Sequence, residues 1–297
     1  MTDSAAAPSL FDRELIARRI DRAWRGSGGR QGADFLLKRA SDELAERLSL
    51  VKRSFSLALD LATPGPHGAL ALLKSGVGGV VRVAPTLSSL GEGAFVGVVG
   101  DLERQPLAEG RFDLAVSLLA LQFANDLPGA LIELRRRLKP DGLLVAALAG
   151  GETLTELRQS LTIAESETTG GASPRVAPFV DVRTLGALAQ RAGLALPVVD
   201  LDRAIARYPD MLALMRDLRA AGATNALNAR SRRPLRRDIL RRAGEVYGER
   251  FADADGRLRA TFDTLWLAAW APHESQPKPL RPGSARTRLA DALRADR

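Results

Sequence analysis

Between Phe55 and Ala149 the chain repeats one pattern five times: a short apolar run, a turn of small or polar residues, and a helical or polar stretch leading to the next run. Runs that are apolar on successive residues belong to parallel strands covered by helices on both faces. The pattern predicts strands over 56–62, 79–84, 94–99, 112–119 and 142–149, with helices over 67–75 and 126–138 and a short turn over 86–91. The second of these helices opens on Asn125-Asp126-Leu127-Pro128, a polar cap with an early proline, and stops before Lys139-Pro140-Asp141-Gly142.

The flanking regions follow a helical period. Residues 10–25 place Leu15, Ile16, Ile20, Ala23 and Trp24 three to four apart, and glycines at 26, 28, 29 and 32 end that helix; a second runs over 33–50. Beyond residue 150 the pattern predicts helices over 152–168, 181–192, 209–221 and 234–250, and strands over 196–201 and 261–270. Two strands bracketing helices, after five strands of βαβ type, suit a doubly wound seven-stranded sheet whose final pair is antiparallel. The expected organisation is N-terminal helices over 1–54, a sheet domain over 55–271 with a helical insertion at about 203–258, and a flexible tail over 272–297.

Composition narrows the partners. The net charge of +8 is almost all arginine, because lysine occurs only at Lys38, Lys52, Lys74, Lys139 and Lys278, and it is spread along the chain. Such a bias gives no localised patch, so no specific nucleic-acid partner is expected. With no cysteine, disulfides, thiolate metal sites and cysteine catalysis are excluded. His67 and His273 are too far apart for a histidine metal motif, so no metal is expected. The N-terminus lacks the basic start and apolar run of a secretory signal, and no apolar stretch approaches the roughly 20 residues of a spanning helix. These features predict a cytoplasmic protein with at most peripheral membrane association.

In an open α/β sheet, ligands bind outside the carboxyl ends of the strands. The first such loop is Asp60-Leu61-Ala62-Thr63-Pro64-Gly65-Pro66-His67-Gly68, where Asp60 is placed to accept from a ligand ammonium group and Gly65 and Gly68 let backbone approach a ligand. The second is Val99-Gly100-Asp101-Leu102, where Asp101 is placed to accept from an adenine amino group and Leu102 to offer its N–H. Ser117, late in the fourth strand, completes the candidate cofactor-binding set. No residue is singled out as catalytic.

The order and spacing of these loops, with the Leu138-Lys139-Pro140-Asp141-Gly142 turn, resemble the class I methyltransferases. Further segments carry a narrower resemblance: Phe11-Asp12-Arg13 with Arg19 to Ala23, Phe123 to Pro128, Gly150 to Leu154 with Glu156-Leu157-Arg158, Ala164-Glu165, Gly170 to Pro174, Tyr208-Pro209 and His273 to Gln276. Together they are similar to the methyltransferase-like assembly factors of respiratory complex I, and more distantly to malonyl-acyl-carrier-protein methyltransferases. The resemblance implies a Rossmann-like fold, S-adenosylmethionine as cofactor, and a protein substrate such as an arginine of a complex I subunit. It also exposes departures. The superfamily carries glycines two, four and six residues after its first acidic residue, where this chain has Ala62, Pro64 and Pro66. Its second strand ends in an acidic residue that holds the ribose, where this chain has Ala84 and Pro85. Losing such a contact costs about 1.5 to 3 kcal/mol per hydrogen bond, so cofactor binding is expected to be weakened or lost and a non-catalytic scaffold is the alternative.

Four other features have ordinary readings. Glu165 and Glu167 with Arg158 are expected on a solvated helix face rather than in a lid. Trp266 and Trp270 are expected on a strand that turns Phe262, Thr264 and Trp266 inward. Tyr208-Pro209 is expected to cap the following helix, and Arg230 to Arg237 to open another.

Overall fold

The computed structural model describes residues 9–25 and 33–277. The glycines at 26, 28, 29 and 32 and most of the expected tail lie outside these residues. Helices α1 (Arg13–Arg25) and α2 (Phe35–Leu50) come first, followed by β1 (Ala58–Leu61), α3 (His67–Lys74), β2 (Val80–Ala84), α4 (Leu87–Leu90) and β3 (Val96–Val99). Then come β4 (Phe112–Leu118), α5 (Leu127–Arg137), β5 (Leu138–Ala149), α6 (Thr155–Thr169), α7 (Val182–Arg191), β6 (Ala195–Tyr208), α8 (Met211–Ala220), α9 (Arg237–Phe251) and β7 (Leu258–Trp270).

The strands form one sheet in the order β3-β2-β1-β4-β5-β7-β6. The first five are parallel, and β7 is antiparallel to both β5 and β6. This is the expected seven-stranded arrangement. Leu37, Leu44, Leu72, Leu114, Val116 and Trp266 fill one face under α2 and α3. Leu59, Leu131, Leu134, Leu185 and Leu265 fill the other under α5 and α7.

Strand β6 reaches Tyr208, well past the predicted 201, and pairs with β7 down to Tyr208↔Leu258. Its second half, Asp202-Arg203-Ala204-Ile205-Ala206-Arg207, alternates between half-buried and exposed positions, as an edge strand does, and carries no apolar run to announce it. The insertion therefore occupies 209–257. Strand β7 is buried on nearly every residue rather than on alternate ones, because β5 and β6 flank it and helices cover both faces. The expected inward alternation of Phe262, Thr264 and Trp266 is only half of its burial. Tyr208-Pro209 does not cap α8: Asp210 does, accepting from the Ala213 N–H at 2.7 Å.

Candidate functional site

Asp60 is the penultimate residue of the entirely buried strand β1 and has no exposure of its own. Its cross-strand neighbour in the parallel β1–β2 ladder is Arg82, also without exposure. Nη1 of Arg82 donates to the Asp60 carboxylate, and Thr63 Oγ1 and the Ala69 N–H (3.1 Å) donate to it as well. Gly68 permits this approach of α3, since a Cβ there would lie 2.6 Å from Asp60 Oδ1. The rest of the guanidinium bridges two loops: Nη2 donates to the carbonyls of Thr63 (2.7 Å) and Ser89 (2.8 Å), and Nε to that of Leu90 (2.8 Å). Burial pushes the Asp60 carboxyl up from the ordinary aspartate range, and Arg82, Thr63 and the Ala69 N–H oppose that push.

Asp60 is thus engaged within the protein, and Pro64 and Pro66 remove two backbone donors from the loop that follows it. As they stand, these residues do not fit the ammonium end of a cofactor. Ala84, picked out as the position of the missing ribose carboxylate, is fully buried at the end of β2. The residue that faces the crevice is Arg82, which sequence reasoning passed over. Its signal was there to read: one charge inside the apolar run Val80-Val81-Arg82-Val83-Ala84.

Ala62 stands where the superfamily places a glycine, and it keeps a glycine-like φ of 55°. A side chain in the left-handed region costs roughly 1 to 2 kcal/mol. Ala62→Gly is therefore expected to raise stability by about 1 kcal/mol in urea denaturation, the residue's flexibility in the unfolded chain offsetting part of the relief.

Helix α1 crosses the carboxyl ends of three strands. The Trp24 ring lies against Gly65, where a Cβ would meet it at 1.8 Å. Asp21 accepts from Ser88 in α4, and Arg13 pairs with Asp101 at 2.9 Å. Asp101 is exposed, and its other oxygen takes the Glu103 N–H at 2.7 Å. Leu102 beside it is buried. Ser117 is also buried, and among the described residues its Oγ has no hydrogen-bond partner. The structure therefore brings Asp60 and Gly68 together and sets Gly65 under α1. Asp101 and Leu102 lie apart, beyond the edge-ward strand β3.

Beside this crevice lies a cavity of about 750 Å³ that reaches the loops after β1, β4 and β5 through Pro64, Leu119 and Ala149. Its walls are mainly apolar, from Phe11, Trp24, Phe35, Phe123, Leu154 and Leu157. No residue of the loops after β2 and β3 lines it. Tyr208 and Asp217 face into it; burial and the Asp217 carboxylate push the Tyr208 hydroxyl pKa up, so it stays protonated. Arg19, also in the wall, donates to the Thr224 and Asn225 carbonyls, both at 2.6 Å.

Glu165 is not on a solvated face. It is buried and paired with Arg175 at 2.6 Å, with the Ser173 N–H at 2.8 Å, contacts that hold its carboxyl below the ordinary glutamate range. Glu167 pairs with Arg242 at 2.7 Å, whereas Arg158 turns to the Gly151 and Thr153 carbonyls.

The family described as a methyltransferase domain matches residues 79–146. The mitochondrial arginine-hydroxylase NDUFAF5 of Danio rerio is 38% identical, over 95% of this chain and 89% of that protein. Its Homo sapiens counterpart is 39% identical, over 93% and 81%. The malonyl-[acyl-carrier protein] O-methyltransferase of a Methylovorus strain is 32% identical, over 95% and 98%. Among solved structures, the YcgJ protein of Bacillus subtilis superposes with a TM-score of 0.55 at 15% identity, over 79% of this chain and 99% of that one. Phosphoethanolamine N-methyltransferase 2 of Haemonchus contortus, solved with S-adenosylhomocysteine, gives 0.52 at 14%, over 87% and 60%. The fold is that of the class I methyltransferases. The expected cytoplasmic placement is corrected by these comparisons, because the arginine-hydroxylase relatives are named as mitochondrial proteins. Among the described residues, no helix is long and apolar enough to cross a membrane.

Proposed function

The chain belongs to the methyltransferase-fold family of the arginine-hydroxylase NDUFAF5, and from that premise we propose that it acts on a protein partner, an arginine of a respiratory complex I subunit, during assembly of that complex. One observation carries the reading: four of the seven segments on which the narrower resemblance rests reach one cavity, whereas Ala164-Glu165, Gly170 to Pro174 and His273 to Gln276 lie outside its lining. Phe11, Arg19, Ala23, Phe123, Thr153, Leu154, Leu157 and Tyr208 all line it, although they are spread over some 200 residues of sequence. The cavity is of a size to take one side chain and its neighbours from a partner, and its apolar walls with a few polar groups are those of a ligand site. Asp217, which forms no ion pair among the described residues, supplies a carboxylate for a guanidinium.

Methyltransferase-fold relatives bind S-adenosylmethionine or its product, and we propose that this chain does so weakly. Of the expected set, only Asp101 is exposed to meet adenosine, and a ligand there would have to share its carboxylate with Arg13 and the Glu103 N–H; Leu102 is buried. Asp60, Gly65, Gly68 and Ser117 are engaged in or covered by the protein itself. The alternative, an assembly factor without catalysis, is favoured by the occupied Asp60 carboxylate.

Affinity capture of the full chain from cells assembling complex I is expected to recover a complex I subunit. Recovery of none, with the chain folded and abundant, counts against the reading. Ala23→Phe fills part of the cavity from α1 while leaving the cores intact, so it is expected to reduce arginine modification at least tenfold. Circular dichroism should show little change in folding.

A further inference from the structure

We propose that Arg82 is a built-in occupant of the nucleotide crevice, its guanidinium tying the loops after β1 and β2 to each other and holding the crevice closed to the ribose and amino-acid portions of S-adenosylmethionine. The inference deepens the weak-cofactor reading and rests on the methyltransferase fold, not on the arginine reading; the fate of arginines in cells neither supports nor sinks it.

The side chain starts on β2 opposite Asp60 and spends its donors on both sides of the gap, on Thr63 after β1 and on Ser89 and Leu90 after β2. The two loops also touch directly, because a Cβ on Gly91 would meet Pro66 at 3.0 Å. Neither Arg82 nor Asp60 has any solvent exposure, and the neighbouring cavity stops short of both. A short helix exposes unpaired carbonyls at its end, and here the guanidinium satisfies those of α4.

Charge acts in the same direction as space. S-adenosylmethionine carries a sulfonium and an ammonium, and an acidic residue at the end of β1 is suited to attract them. Arg82 has neutralised that carboxylate and put a fixed cation beside it. In a buried site of low effective dielectric, repulsion between like charges a few ångströms apart is strong. The uncharged sulfur of S-adenosylhomocysteine removes one repulsion and leaves the steric block, which makes it the stricter probe.

The test is equilibrium dialysis of the full chain against S-adenosylhomocysteine, with thermal denaturation as a check on folding. Wild type is expected to bind no better than millimolar. The double variant Asp60→Asn, Arg82→Ser removes the guanidinium without stranding a buried carboxylate, and is expected to bind at least tenfold more tightly. Arg82→Gln, longer but neutral, should gain in the same direction. Micromolar binding by wild type overturns the proposal, as does a folded variant that binds no more tightly than wild type, the outcome of a purely structural ion pair. If neither variant folds, the wild-type measurement decides alone.

Discussion

Arg82→Met is expected to lower stability by about 3 to 5 kcal/mol, the range for breaking one side of a buried ion pair. The cost comes from what is left behind. Asp60 keeps only Thr63 and the Ala69 N–H, and the carbonyls of Thr63, Ser89 and Leu90 lose their donors. Urea denaturation measures the loss. Adding Asp60→Asn to Arg82→Met removes the stranded charge but not the stranded carbonyls, so it should recover part of the loss and reveal a coupling between the two residues. The pH dependence has a definite sign. Without the guanidinium, burial raises the folded carboxyl further above the unfolded value of 3.8. Because the wild-type carboxyl is itself raised, the deficit of Arg82→Met is smallest below the wild-type folded value, grows as pH rises from there toward the variant's higher folded value, and is constant above it. A deficit independent of pH would mean that Asp60 is not left as a buried charge.

Gly65→Val is expected to cost roughly 2 to 4 kcal/mol, from a β-branched residue forced to positive φ and from overpacking against a neighbour. Gly65 has φ +71° and the Trp24 ring against it, so the substitution lifts α1 off the loop after β1. Gly76→Val separates the two causes, since Gly76 also has positive φ, +82°, and nothing within 4 Å of a Cβ. That control should show the backbone cost alone, without increased proteolysis in α1. Equal losses and equal protease sensitivity in both variants would remove Trp24 from the account.

The parallel half of the sheet was legible because each of its strands advertises itself as an apolar run: β1, β2, β4 and β5 are largely buried on both faces, and β3, although an exposed edge strand, keeps the run Val96-Gly97-Val98-Val99. The cap at Asp126 and the proline after it marked α5 as plainly. The end of β6 was not legible: its outer face is wet, so Asp202, Arg203 and Arg207 look like loop. The site was legible in place and less so in chemistry. The loops after β1 and β3 were found from strand ends alone, and the weakness of the first was found from Ala62, Pro64 and Pro66. The occupied state of Asp60 was not, because pairing of Asp60 with Arg82 depends on register between strands 22 residues apart in sequence. The cavity was hidden for the same reason, since its walls come from segments that meet only in the fold.

Mass spectrometry of complex I arginines, in cells with and without the chain, bears most directly on the proposed function. A subunit arginine is expected to carry a modification when the chain is present, lost on deletion with impaired assembly, and restored by wild type but poorly by Ala23→Phe. Unchanged arginine modification with normal complex I assembly in the deletion strain would contradict it.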